Sequence, residues 1–163
     1  MTTRKQTDSQ PRPRAIPEGM THATPCLIAR NAVGALAFYK RAFGAEETLR
    51  IDMPDGKLGH AELRIGNAQL MLADEFPSMG YVGPQSLGGT SVSVHLYVED
   101  VDAFAARAVA EGARLLRPIS DQFYGDRVAA LEDPFGHRWS FATHVEDVSP
   151  EEMQRRAAEP EPT

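Results

Sequence analysis

Two hydrophobic periods meet in the stretch VSVHLYVEDVDAFAARAVAEGA, Val92 to Ala113. Up to Val98 the alternation is strict. Ser91, Ser93, His95 and Tyr97 share one face of a strand, and Val92, Val94, Leu96 and Val98 share the other. The valine face is expected to pack beneath a helix and the polar face to line a cavity. After Asp100 the period lengthens. Val101, Phe104, Ala105, Ala108 and Gly112 fall on one face of a helix, with Asp100 placed as its N-cap and Gly112 as its terminator.

The same grammar occurs earlier in the chain. A short apolar run, Pro25 to Ala29, leads to Asn31 as N-cap. Ala32, Ala35, Leu36, Tyr39 and Phe43 then repeat the helical spacing, and Gly44 closes it. Gly44-Ala45 and Gly112-Ala113 correspond at an offset of 68 residues, an internal repeat. Three strand candidates follow each helix. In the first half they are EETLRIDM, LGHAELRI and AQLMLAD, joined by the turns PDG and Gly66-Asn67. In the second they are RLLRPIS, DRVAALE and RWSFATH.

Each half therefore reads βαβββ. One helix covers one face of a four-stranded sheet, and the other face must meet something else. The expected fold is α+β, two βαβββ modules forming a cupped mixed sheet around a cavity. The expected boundaries are a disordered tail over 1–20, a first module over 21–74, a linker rich in glycine and proline over 75–90, and a second module over 91–147. A polar tail over 148–163 follows, in which Ser149 is placed to cap a short helix from Glu151 to Ala158.

Composition narrows the function classes. With 163 residues the chain suits one domain, and its 42% hydrophobic and 25% charged content is ordinary for a globular protein. A net charge of −6 argues against nucleic acid as a partner. No stretch approaches the roughly 18 apolar residues of a membrane span. The N-terminus lacks the apolar core of a secretory signal, and the single cysteine, Cys26, excludes an intrachain disulfide, so a cytoplasmic location is expected. There is no GxSxG elbow, P-loop or Cys-x-x-Cys.

AFYKRAFGAEE in the first helix, the histidine-bearing strand and helix around His95, and YGDRVAALEDPFGHRWSF together resemble the vicinal oxygen chelate superfamily, which holds the glyoxalases, bleomycin resistance proteins and extradiol dioxygenases. The resemblance spans roughly residues 22–145. MPDGKLGHAEL and LMLADEFP are similar to its demethylubiquinone methyltransferase-like branch. No glycine-rich loop lies between a strand and a helix, so methyl transfer from S-adenosylmethionine is not expected. The resemblance implies a homodimer, possibly module-swapped. It also implies divalent-metal ligands at positions that fall here on Thr24, Met71, His95 and Ser140. Only His95 is a good ligand; Thr24 and Ser140 offer weak hydroxyls and Met71 a soft thioether.

Other residues are candidates on alternation alone. His60 and Glu62 share a face of the third strand, and Arg127 occupies the place in the second half that His60 occupies in the first. Tyr97 shares the face of His95, and Tyr124 lies on a loop beside the expected cavity. His22 or His60 could complete a non-standard site with His95. His137 reads as a turn or surface residue, and His144 as a strand end able to reach the cavity rim. The expected substrate-binding set is thus Thr24, His60, Glu62, Met71, His95, Tyr97, Tyr124, Arg127 and Ser140, with His95 as the one retained metal position. Two functions compete. The first is a metal-independent protein that binds a small organic ligand. The second is a metal-dependent lyase, isomerase or dioxygenase. A metal-free enzyme with His95 or His60 as general base and Arg127 as electrophile is a weaker third.

Overall fold

The computed structural model describes residues 12–159, so most of the N-terminal tail and the last four residues lie outside the described part. Strand β1 (Cys26–Ala29) leads to helix α1 (Ala32–Phe43), then β2 (Glu46–Asp52), β3 (Leu58–Ile65) and β4 (Ala68–Asp74). A short 3-10 turn (Pro77–Met79) and helix α2 (Pro84–Leu87) follow. The second module runs through β5 (Ser93–Tyr97), α3 (Val101–Ala110), β6 (Arg114–Leu115), β7 (Ser120–Asp121), β8 (Asp126–Glu132) and β9 (Arg138–His144). Helix α4 (Pro150–Ala157) closes the described chain, with the Ser149 hydroxyl accepting from the Glu152 amide.

The first sheet has the order β1-β4-β3-β2 and the second β5-β9-β8-β6, with β7 also on β8. In each, the first strand lies parallel to the last and the remaining pairs are antiparallel. The strand expected over RLLRPIS is instead two fragments, β6 and β7, separated by a bend at Leu116-Arg117 just before Pro118. Pro118 has no amide hydrogen to offer a ladder, which accounts for the break. Among the described residues no helix is long and apolar enough to cross a membrane.

Local signals set both long helices. Asn31 accepts from the Gly34 amide and Asp100 from the Ala103 amide. Gly44 ends α1 in the left-handed region at φ 67°, a conformation that L side chains resist. The last strand of each module also holds the start of its own helix. Asp74 Oδ1 accepts from the Ala32 amide, and the Thr143 hydroxyl accepts from the Val101 amide. Each helix is thereby fixed over one face of its sheet.

The core lies on that helix side and is continuous across the modules. Phe43 of α1 meets Trp139 and Phe141 of the second sheet at ring-centre distances of 4.7 and 5.1 Å, and stacks on Phe104 of α3. Beneath these rings sits the buried carboxylate of Asp133. Its Oδ2 accepts from the Tyr39 hydroxyl at 2.6 Å and the Trp139 indole at 2.9 Å; its Oδ1 accepts from the Phe135 and His137 amides. Burial, with the charge and hydrogen bond of Asp133, pushes the Tyr39 phenol far above its ordinary range, so it stays a donor. His137, expected at the surface, instead hydrogen-bonds the Ile28 carbonyl through Nε2 at 2.9 Å and ties the second module to β1.

All four partners of Asp133 are donors, so an amide nitrogen in its place would face donors with a donor. Asp133→Asn is expected to cost about 2–5 kcal/mol, and Tyr39→Phe, which removes one partner, about 1.5–3 kcal/mol. Urea denaturation of the two variants checks both the loss and its order. Equal stability of Asp133→Asn and wild type would remove this carboxylate as a structural hub.

Candidate functional site

The face of each sheet turned away from its helix is open. On the first sheet it carries His60 and Glu62 of β3, with Leu49 and Ile51 of β2 directly across and Met71 of β4 opposite Glu62. His60 Nε2 lies 3.5 Å from Glu62 Oε1. Above this wall the segment after β4 folds back through a bridge between Phe76 and Tyr81. The Gly83 amide anchors the segment by donating to Glu75, and Arg30 by donating to the Ser86 hydroxyl. The fold-back encloses a hollow of about 310 Å³ lined chiefly by Ile28, Met53, His60, Phe76, Met79 and Tyr81. A second hollow holds Thr24, Glu62 and Met71 under the segment Ala15–Thr21.

The second sheet presents a different wall. His95 Nδ1 is 2.9 Å from the Ser140 hydroxyl on the neighbouring strand, and its ring meets the Tyr97 ring edge at 5.1 Å. The Tyr97 hydroxyl donates to Asp126 Oδ2 at 2.7 Å. Asp126 Oδ1 lies 2.7 Å from His144 Nδ1, and His144 Nε2 lies 2.9 Å from Asp147. Asp126 is buried, whereas Tyr97 is 64% exposed, so the hydrogen-bonded row runs along the open face from solvent to a buried acceptor and back out. Burial pushes the Asp126 carboxyl up, but the hydrogen bonds from Tyr97 and His144 and the nearby His144 and His95 rings outweigh it and leave the group below its ordinary range. Hydrogen bonds to Asp126 and Asp147 raise His144. The Asp126 hydrogen bond, burial and the charges of Asp126 and Tyr124 raise Tyr97. Between the sheets, a cleft of about 620 Å³ runs along the edge strands β1 and β5, with Cys26 and Ile28 on one side and Ser93 and His95 on the other.

The structure divides the residues expected to form the site. His95, Tyr97 and Ser140 share the second wall; His60, Glu62 and Met71 share the first, with Thr24 just before β1. Arg127 is on neither. It pairs with Thr143 in the β8–β9 ladder, on the helix face, and its guanidinium is taken by Asp102 of α3 at 2.6 Å and Asp121 at 3.0 Å. Those carboxylates raise it further above its ordinary range. The place assigned to Arg127 belongs to Val128, since Glu62 opposite Met71 corresponds to Ala130 opposite Ser140. The repeat's own offset of 68, applied to His60, gives the same answer. Asp126, which the expected set omitted, faces the open side one alternation step away, and His144 joins it there.

The ladders also revise the metal positions. His95 is opposite Ser140 as Cys26 is opposite Met71, so Cys26 rather than Thr24 occupies the rung matching His95. Burial pushes the Cys26 thiol up, away from the thiolate a metal needs. His22, His60 and His95 line three different hollows, those of His60 and His95 sharing Cys26 and Ile28. Among the described residues no three His, Cys, Asp or Glu side chains converge as a ligand set. A catalytic zinc typically takes three protein ligands and an open position. One imidazole, one hydroxyl, a protonated thiol and a thioether do not fit that chemistry within this chain.

Comparison with known proteins agrees with this architecture. The sequence profile of the Glyoxalase/Bleomycin resistance protein/Dioxygenase superfamily matches residues 19–141. An uncharacterized protein of Mycobacterium tuberculosis is 45% identical over 134 residues, covering 80% of this chain and 79% of its own. One from Arabidopsis thaliana is 30% identical over 124 residues, covering 71% and 74%. Among solved structures, TioX from Micromonospora sp. superposes with a TM-score of 0.62 at 28% identity, over 77% of this chain and all of its own. A glyoxalase/bleomycin resistance protein/dioxygenase from Nocardioides gives 0.59 at 22% identity, over 88% and 90%, a likeness of fold.

The polar chain on the second wall carries a pH signature. A raised His144 stabilises fully below its unfolded value of about 6.5, and that contribution is lost as pH rises through the higher folded value. A lowered Asp126 acts oppositely: its contribution is present above the unfolded value of about 3.9 and is lost as pH falls through the folded one. Nuclear magnetic resonance titration should place the His144 ring above about 6.5, and Asp126→Asn should bring it back toward that value. An unshifted wild-type ring would contradict the chain.

Proposed function

The chain belongs to the Glyoxalase/Bleomycin resistance protein/Dioxygenase superfamily, and we propose that within it this protein binds a small organic molecule on the open faces of its cup without an intact family metal site. The observation that carries this reading is the chemistry of the walls. The family's metal positions hold Cys26, Met71, His95 and Ser140, while beside them a hollow lined by methionine and aromatic side chains offers a ligand apolar area to bury. Binding sites of this kind are mostly apolar with a few placed polar groups, and His60, His95 and Tyr97 are such groups here. The likeness of MPDGKLGHAEL to the demethylubiquinone methyltransferase-like branch is compatible with this role and adds no methyl-transfer chemistry to it.

The proposal includes a homodimer. Leu49 and Ile51 on the open face of the first sheet are 42% and 50% exposed, a strip whose burial against a second copy would be favourable. Pairing would also roof the cup. Light scattering on the purified protein distinguishes a dimer from a monomer.

Two measurements test the binding role. Elemental mass spectrometry on protein purified without chelator or affinity tag should find no stoichiometric transition metal; a near-stoichiometric one that His95→Ala removes would overturn the reading. Fluorescence titration with 2-methoxynaphthalene, an apolar two-ring probe, should show saturable binding. Met79 is 69% exposed, so Met79→Asp is expected to leave the fold intact while weakening that binding about tenfold or more, because a carboxylate then lines the hollow.

A further inference from the structure

The hollow on the first sheet has a largely apolar lining, and of its polar side chains, His60, Cys26 and Tyr81, the His60 imidazole has a direction. His60 Nε2 lies 3.5 Å from Glu62 Oε1, and both are partly withdrawn from solvent, at 30% and 24% side-chain exposure. An ionised carboxylate only accepts hydrogen bonds, so the pair is bonded only when Nε2 carries the hydrogen. In the neutral ring this leaves the lone pair on Nδ1. Among the described residues His60 makes no other hydrogen bond. The rest of the lining is suited to a flat ring: the Met53 and Met79 thioethers, the Phe76 and Tyr81 rings and the Ile28 side chain. Cys26, also on the wall, has its thiol pushed up by burial and stays neutral. Lys57 does not line the hollow; its ammonium stands 5.1 Å from the Phe76 ring centre and reaches the Glu75 carbonyl.

We infer that this hollow selects a hydroxylated aromatic compound, its ring against the methionines and aromatics and its hydroxyl donating to His60, with Glu62 setting the tautomer. Glu62 is a positioning residue, since it acts on the ligand through His60. The inference rests on the binding role proposed above and names the ligand class for it.

The test compares 2-naphthol with 2-methoxynaphthalene, the same two rings without the donor, by fluorescence titration. The naphthol should bind about threefold to tenfold more tightly, the worth of one net hydrogen bond. His60→Leu should abolish that ratio while the ether still binds. Glu62→Gln should reduce it, because an amide can donate to Nε2 as well as accept from it and no longer fixes the tautomer. Thermal melts followed by circular dichroism check that each variant is folded.

Equal affinity of the two probes for the wild type would overturn the inference and leave the binding role standing. So would a preference that survives His60→Leu, since it would reflect the extra methyl group rather than the hydrogen bond. Failure of both probes to bind would overturn the inference and the binding role in this hollow together.

Discussion

A single carboxylate, Asp133, holds the two modules in one arrangement. It is buried at the turn between β8 and β9, and its four hydrogen bonds reach the turn itself, the last strand and the helix of the other module. A buried charge is tolerable only when its acceptor sites are filled. The turn cannot move away from Tyr39 and Trp139 without stranding that charge. Specificity follows from the same constraint: the rings of Phe43, Trp139 and Phe141 could slide over one another at modest cost, but the hydrogen bonds allow one register. The module interface is therefore set by polar groups inside an aromatic shell.

With the helix side fixed, the open faces are released from packing duties, and the two have diverged. The first wall carries an imidazole–carboxylate pair among apolar side chains, with the Arg64–Glu46 ion pair at one end; the second carries a row of hydrogen-bonded polar side chains. The same backbone supports both because residues alternate across a strand. Val128 stands where the repeat would put a partner to His60, and Ser140 where it would put a partner to Met71. The repeat is preserved in what the helices touch and lost in what they do not.

This division also decides what could be read from sequence. Capping residues and helical periods were legible because each signal is local: Asn31, Gly44 and Asp100 act within a few residues of themselves. The polar face of β5 was legible because its alternation is unbroken. In DRVAALE the alternation is blurred by two adjacent alanines, small enough for either face, and Arg127 was placed on the wrong side. Asp126 was missed because an aspartate at a strand start looks like a turn residue; only the ladder, which brings it beside Tyr97 and His144, shows it to be a buried acceptor. The role of Asp133 was hidden for a similar reason, since DPFG is read as a turn and nothing near it points to Tyr39, 94 residues away. The fold-back over the first wall looked like a linker because glycine and proline mark punctuation and not where the chain goes next.

The outer edge of the first sheet has a consequence of its own. Among the described residues β2 has no neighbour beyond it, and an unpaired strand is a template on which another strand can add. Here the ladder with β3 is irregular in two places, between Glu47 and Leu49 and between Ile51 and Asp52. Between these lies the Arg50–Asp52 ion pair. Bulges twist an edge and charges repel an incoming chain. A protein that exposes leucine and isoleucine on this strand thus carries its own guard against fibrous growth, and a substitution that straightened β2 would be felt first as insolubility.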